Sequence, residues 1–356
     1  MLNVLLCKTS IVFKVKVYII NVYLFSVSRI HMDRERAAEK DGHLIIYASL
    51  RGVILSLVTA FRRHYKNLHI HVHFLSSHPL PIYDKIKAEV GAGLTTADIV
   101  ILPHYMILQM AAERLTRPYR SDEFRAFPQD FYSEKDGWAA VAVEPIGMIY
   151  NAHQLKDDEV PLTSAEFLDE RWAGKVATQT VTSFSEGMMG AYYLIALKRR
   201  MGESRWIDLL RGLSRLSPVT YECLLHMSHA IARGEQTIGF PATLRKASLA
   251  DAAEGGPVET LQLLDLPDTA SLRTMALTKH GKHPNVAELF FDFAISREWQ
   301  NEMGEKLEGM VPARPGVETR YWVSKPLTDG LVYFPSAEEV SRLREYIEIF
   351  REMGLK

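Results

Sequence analysis

Three short turns carry residue types that bind anions. A serine or threonine hydroxyl donates one hydrogen bond, an arginine guanidinium presents a fork of N–H donors, and a glycine lets the backbone come close to a ligand. Each turn precedes a predicted helix or strand, and the unpaired N–H groups at a helix start favour negative charge. The candidate ligand contacts are Ser49, Arg51 and Gly52 in the first turn, Thr95 and Thr96 in the second, and Thr180, Thr182 and Ser183 in the third. Simple helix capping is the alternative for each turn.

Two further side chains, Tyr150 and Arg245, are candidates for a place near such a ligand, and Glu144 is a lone charge with a different expected role. Tyr150 lies on a long apolar segment, where an aromatic ring can cover a bound molecule or pack into a core. Arg245 follows a short predicted strand and can balance the charge of an anion. Glu144 is the one charge in its apolar segment, and we expect it to pair with a basic residue across the strand rather than to bind ligand.

The sequence offers no catalytic or metal-binding pattern. His69, His71 and His73 alternate with apolar residues, which is typical of the polar face of a strand, with a metal site as the alternative. Cys7 and Cys223 form no CxxC pair, and there is no G-x-S-x-G, P-loop or metal triad. We therefore expect no catalytic residue, metal or cofactor.

Composition sets the scale of the protein. The 356 residues suggest about two domains, and 47% apolar with 24% charged residues is typical of a globular chain. The net charge of −1 gives no field that would favour nucleic acid or an anionic membrane.

Residues 1–31 have the order of a secretory signal. Lysines precede the apolar run Val17 to Leu24, and small residues follow at Ser26-Val27-Ser28. This predicts a periplasmic or extracellular protein. The alternative is an upstream start codon, with translation beginning at Met32 and a cytoplasmic product.

The remaining chain alternates predicted strands and helices, which indicates parallel α/β units. The first strand is His43 to Ala48, and the segment Trp138 to Asn151 is a hinge strand between two such series. The predicted fold class is α/β, with two doubly wound lobes joined by two crossover strands. Lobe 1 comprises 43–143 plus 268–320 and lobe 2 comprises 144–267 plus 321–356. The C-terminal residues Ala337 to Met353 are expected to form one amphipathic helix.

Several segments in order resemble the solute-binding proteins of ABC importers, specifically the ferric-iron-binding group. The segments are AAEKDGHLIIYASL, WAAVAVEPIGMIYN with its final Tyr150-Asn151 pair, FLDERWAGKVA, IARGEQTIG, KHPNVAELFFDFAISREWQ and GMVPARPGV, and together they span about 43 to 318. The resemblance implies a type II periplasmic-binding-protein fold with the ligand held between helix N-termini.

The iron ligands of that group do not carry over. The chain has Pro241-Ala242-Thr243 where the resemblance implies a tyrosine pair, Arg51 where it implies a histidine, and Pro103 where it implies an acidic ligand. Tyr192 and Tyr193 are adjacent, but they fall about 45 residues earlier, inside a predicted helix.

The expected function is therefore non-catalytic. A small anionic solute, or iron held with an anion, binds between the lobes of a monomer and passes to an ABC permease. The alternatives are a stand-alone small-molecule sensor, and an enzyme on the same two-lobed fold with Cys223 as its thiol.

Overall fold

A computed structural model describes most of the chain. It covers residues 29, 31–182, 188–243, 253, 255, 258–261, 263–267, 269–307, 310–319 and 332–356, with the backbone alone at 332–334. Ser183, Arg245 and nearly all of the predicted signal segment lie outside these residues.

The strands follow the predicted order, and two of them have the predicted bounds. The first strand and the hinge strand begin and end where the sequence analysis placed them. The strands are β1 (His43–Ala48), β2 (His71–Ser76), β3 (Ile99–Pro103), β4 (Tyr132–Ser133), β5 (Trp138–Asn151), β6 (Val176–Gln179), β7 (Val219–Tyr221), β8 (Ile238–Thr243), β9 (Val258–Leu261), β10 (Thr269–Leu277), β11 (Val311–Pro312) and β12 (Val332–Phe334).

Helices separate most of these strands and cover the sheet. They are α1 (31–41), α2 (Arg51–His64), α3 (Pro79–Gly91), α4 (His104–Ala112), α5 (Ser164–Phe167), α6 (Met189–Met201), α7 (Glu203–Arg215), α8 (Leu224–Ala232), α9 (Pro284–Ile295), α10 (Arg297–Lys306), α11 (Ala337–Ser341) and α12 (Leu343–Glu352). Short 3-10 turns occupy 122–126, 129–131 and 170–172.

The sheet runs through both lobes in the order β2-β1-β3-β10-β5-β8-β6-β7. Strands β1, β2 and β3 are parallel in lobe 1, and β6, β7 and β8 are parallel in lobe 2. The antiparallel pair β5 and β10 joins the two sets, since β10 pairs with β3 of lobe 1 and β5 pairs with β8 of lobe 2. This is the predicted two-lobed architecture with two crossover strands. The residue boundaries of the lobes stay a prediction.

Two apolar cores lie on opposite faces of the sheet in lobe 1. One lies within lobe 1, where α2 and α9 pack on the sheet through residues such as Phe61 and Phe290. The other extends from α3 and α4 of lobe 1 into lobe 2, where it includes Trp206 of α7 and Phe350 of α12. The second core therefore connects the lobes.

The prediction of a single C-terminal helix is wrong, because the segment divides at Arg342. Helix α11 begins with a capping box between Ser336 and Glu339 and contacts α4 of lobe 1. Helix α12 packs on Trp206 of lobe 2. The two helices therefore have different packing partners.

Within the described part of the chain, no helix is both long and apolar enough to cross a membrane.

Phe350 tests how far lobe 2 depends on α12. Its ring is fully buried beside Trp206, so Phe350→Ala should lower the free energy of unfolding by about 3–5 kcal/mol. Urea denaturation followed by fluorescence measures this loss. The exposed Arg344 of the same helix is the control, and Arg344→Ala should change stability by less than about 0.5 kcal/mol. Equal effects of the two substitutions would show that α12 does not anchor lobe 2.

Candidate functional site

A buried ion pair joins the two crossover strands between the lobes. Glu144 of β5 is 1% exposed and Arg273 of β10 is 4% exposed. The Nη2 group of Arg273 donates a hydrogen bond to Oε2 of Glu144, and Nη1 donates to Oγ of Ser49 over 3.1 Å. The structure thus confirms that Glu144 pairs with a basic residue across the strand. It also ties the turn after β1 to both crossover strands.

Each of the three side chains at this junction keeps some hydrogen-bonding capacity. Arginine has no acceptor, so Ser49 must accept from Arg273, and its hydroxyl proton is left to donate elsewhere. Among the described residues, Oε1 of Glu144 and Nε of Arg273 have no hydrogen-bond partner. Both of these atoms are buried, so a polar molecule could reach them only if the packing around the junction changed.

The amino end of α2 lies directly after Ser49. Leu50 has a left-handed backbone with φ 70°, no side chain caps the helix, and its first turn contains no acidic residue. Arg51 and Gly52 occupy that first turn and are exposed. The amino end of α2 therefore has a positive potential, because its first N–H groups are unpaired and no carboxylate in the turn balances the Arg51 guanidinium.

The corresponding turn of lobe 2 follows β6. The N–H of Thr180 donates to the carbonyl of Tyr221 over 2.9 Å. Arg351 of α12 donates to the carbonyl of Thr182 over 3.1 Å. Thr180 and Thr182 are half-buried. Strands β6 and β8 are parallel, so their carboxyl ends lie at the same edge of the sheet. Thr243 at the carboxyl end of β8 pairs with Ile146 of β5, which is close to Glu144 along the chain. The turn after β6 therefore lies at the edge of lobe 2 that faces the junction.

The lobes touch through two tyrosines. The ring of Tyr105 in α4 lies 4.9 Å from that of Tyr192 in α6, measured between centroids. Burial, then the neighbouring Tyr105 and Glu339, raise the pKa of Tyr192 well above its ordinary value. Tyr193 packs edge-on against Phe240 inside lobe 2. A tyrosine binds ferric iron as the phenolate, so this pair in the apolar core is poorly suited to that role.

A cavity of about 610 Å³ opens between the lobes beside α4. Lobe 1 contributes His104, Leu108 and Trp138, and lobe 2 contributes Arg199 and Arg200 from the end of α6. Arg199 pairs with Glu339 at 2.9 Å. The volume is in the range of small-molecule sites. Leu272 of β10 also lines it.

His104 is the buried titratable group of this region. Its Nδ1 lies 3.0 Å from Oγ1 of Thr274, and its ring contacts Trp138 with centroids 4.8 Å apart. Burial lowers the pKa of His104 to about 4. The imidazole is therefore neutral at physiological pH.

Three candidate residues lie away from the junction. Thr95 and Thr96 precede β3 and so lie at its amino end, whereas Ser49 bonds to Ile101 near its carboxyl end. Tyr150 pairs with Ile238 at the start of β8, so it lies well inside lobe 2 rather than at the crossover. Ligands of open parallel sheets bind outside the carboxyl ends of the strands. The structure therefore groups Ser49, Arg51 and Gly52 but separates Thr95, Thr96 and Tyr150 from them.

Arg273 and His104 were missed by the sequence analysis. Arg273 is the lone charged residue in the apolar sequence of β10, just as Glu144 is in β5. This lone charge was the signal that could have indicated a buried ion pair. Within the described ranges, no three His, Cys, Asp or Glu side chains are grouped as metal ligands.

Removing one charge of the junction should destabilise the fold. Glu144→Gln leaves Arg273 buried without a counter-charge, so we expect the free energy of unfolding to fall by about 3–5 kcal/mol. The double variant Glu144→Gln, Arg273→Met should recover part of that loss. Chemical denaturation of the single and double variants measures the coupling. A single variant within about 1 kcal/mol of the parent would contradict the burial of an essential pair.

His104 should make the protein less stable in acid. Its unfolded imidazole takes up a proton near pH 6.5 and the folded one near pH 4. Between these values the unfolded state binds more protons, and stability is lost as the pH falls. His104→Gln should reduce the stability difference between pH 7 and pH 5 by about 2 kcal/mol. The exposed His153 serves as control, and His153→Gln should keep the parent's pH dependence. An unchanged pH dependence in His104→Gln would show that His104 is not buried as a neutral group.

Solved structures with the same architecture are periplasmic binding proteins. Iron-bound HitA from Pseudomonas aeruginosa has a TM-score of 0.71 at 17% identity, covering 88% of this chain and 99% of that one. AfuA from Actinobacillus pleuropneumoniae, with fructose-6-phosphate bound, has a TM-score of 0.67 at 20% identity, covering 87% and 99%. FutA from Trichodesmium, in complex with iron and citrate, has a TM-score of 0.65 at 16% identity, covering 88% and 100%. At these identities the likeness shows the two-lobed type II fold.

No curated protein sequence matches the chain. A family profile does match, over residues 95–322, which include both crossover strands and most of both lobes. Together with the fold, this match shows that the chain belongs to the bacterial extracellular solute-binding protein family.

Proposed function

We propose that this protein is the solute-binding component of an ABC importer, and that it binds a small anionic solute between its lobes. Family membership and the two-lobed fold support the binding role. The observation that carries the anionic character is the uncapped amino end of α2, with exposed Arg51 beside the Ser49–Arg273 contact. Delivery to a membrane permease, export to the periplasm or cell exterior, and a monomeric state belong to the same proposal.

The first lobe supplies the main anion contacts. Four hydrogen-bond donors lie together at the start of α2. They are the backbone N–H groups of Arg51 and Gly52, the guanidinium of Arg51 and the hydroxyl of Ser49. Hydrogen bonds to a charged group are worth about 1.5–3 kcal/mol each. Arg273 does not contribute a free charge, because Glu144 already neutralises it.

The second lobe closes over the solute through the turn after β6. Thr180 and Thr182 supply hydroxyls there, and Ser183 and Arg245 are proposed contacts outside the described residues. Closure requires that the solute bind the closed form more tightly than the open form, since otherwise the population does not shift. The Tyr105–Tyr192 contact is one point where α4 of lobe 1 meets α6 of lobe 2.

An anion fits the site better than bare ferric iron. Ser49 and Arg51 offer hydrogen-bond donors to an anionic group. A phosphate ester or a small carboxylate has such a group, and a hydroxycarboxylate can also carry iron. The buried tyrosines of α6 do not offer the phenolates that bare iron requires.

Binding rather than catalysis is the proposed activity. The thiol of Cys223 is half-buried at the start of α8, and no activating base for it is readable from the sequence. If an activity is detected, its survival in Cys223→Ala would exclude the thiol as a nucleophile.

A thermal-shift panel tests the anion proposal. Inorganic phosphate, fructose-6-phosphate, citrate and ferric citrate are the probes. At least one probe should raise the melting temperature, because a ligand that binds only the folded state stabilises it. Calorimetric titration of that probe should show Arg51→Ala weakening binding by about 1.5–3 kcal/mol.

Arg211 is the matched control, since it is an exposed arginine on α7 of lobe 2. Arg211→Ala should bind the probe as the parent does. Equal affinity of the parent and Arg51→Ala would remove Arg51 from the site. Stabilisation by ferric citrate and not by citrate would favour an iron–anion complex as the solute.

A further inference from the structure

Four histidines gather on lobe 1 at the end of the sheet opposite the junction. His71 and His73 are exposed on β2, as their alternation predicted, and His43 begins the neighbouring β1. His283 comes from the turn before α9. The ring of His43 lies 5.4 Å from His71, 5.5 Å from His73 and 5.9 Å from His283, measured between centroids. The solute-binding role uses none of these side chains.

Two of the imidazoles are already spaced as metal ligands. Nδ1 of His43 lies 3.3 Å from Nε2 of His73. Two nitrogens bound to one Zn²⁺ at about 2.05 Å with a tetrahedral angle lie about 3.3 Å apart. The same distance also fits a weak hydrogen bond between neutral rings, so the spacing alone does not decide between the two.

The third imidazole is held in the tautomer that a metal needs. Oδ2 of Asp98 accepts from Nδ1 of His283 over 2.9 Å, which leaves the lone pair of Nε2 available. Metal-binding histidines commonly donate their second ring nitrogen to a carboxylate in this way. Asp98 is itself buried and accepts the backbone N–H groups of Ile45 and His283, at 2.8 and 2.9 Å.

The backbone brings this carboxylate and the His283 turn close together. A Cβ atom at Gly281 would lie 2.6 Å from Cα of Asp98, so only glycine permits the approach. The turn that carries His283 is thereby fixed against β3 and β1. Asp98 and His283 thus form a rigid base beside the exposed rings of His43 and His73.

We propose that His43, His73 and His283 form a surface site for a divalent transition-metal cation such as Zn²⁺, with His71 as a fourth possible ligand. Neutral imidazole nitrogens suit zinc, copper and nickel. No three of the rings are grouped as ligands as they stand in the described structure. Rotation of the exposed His43 and His73 side chains about their χ angles brings them onto the cation. The site lies away from the anion site, so it goes beyond the solute-binding role.

Calorimetric titration with zinc chloride tests this site. The full chain is used without a histidine tag and is first dialysed against a chelator. We expect one zinc ion to bind, and His43→Gln and His73→Gln each to weaken binding by at least about tenfold. Melting temperatures measured with chelator present should be the same for the parent and both variants, because both side chains are exposed.

His153→Gln is the matched control, since His153 is an exposed histidine of lobe 2. It should bind zinc as the parent does. Zinc affinity that is unchanged in both His43→Gln and His73→Gln would overturn the proposal, and so would a parent protein that takes up no zinc. Neither result would bear on anion binding, which is measured with separate probes and with Arg51.

Discussion

The ion pair between Glu144 and Arg273 is the constraint on which the rest of the structure depends. It lies where the two crossover strands pass between the lobes, and both side chains are almost fully buried. Removing two charges from water costs several kcal/mol for each ion, and their mutual attraction offsets that cost only while both are present. Because Arg273 also donates to Ser49, the same pair fixes the turn that begins α2. The same ion pair therefore stabilises both the crossover between the lobes and the turn that carries the proposed anion contacts.

This arrangement connects solute binding to the position of the lobes. Ser49 is bonded to a crossover strand, so the proposed solute contacts Ser49 and Arg51 lie beside the segment on which the lobes would hinge. In the proposed site, the opposite wall is the turn after β6, which Arg351 of the C-terminal helix supports. A solute that contacts both walls favours the closed form, and its differential affinity sets how far the population shifts. Helix α12, which packs on Trp206, therefore supports this turn.

The alternation of strands and helices was predictable because each element carries its own local pattern. The continuous apolar run of β5 and the short run of β1 predicted their bounds, and the exposed alternation of β2 predicted its histidine face. Partner choice between distant strands has no such local signal. The chain does not show locally that β10 lies beside β5, so Arg273 could not be paired with Glu144 in advance.

The positions of Tyr150 and Thr96 relative to the junction could not be predicted for a related reason. A strand of 14 residues extends well beyond the point of crossing, and only the register shows that Tyr150 lies inside lobe 2. Thr96 lies before its strand, and only the direction of β3 shows that this end faces away from the junction.

The most direct test of the central claim is native mass spectrometry of the protein as purified from cells, compared with the same protein after unfolding and refolding. The account predicts that a small anion, alone or with a metal, is released on unfolding. Iron bound without any accompanying anion would contradict it.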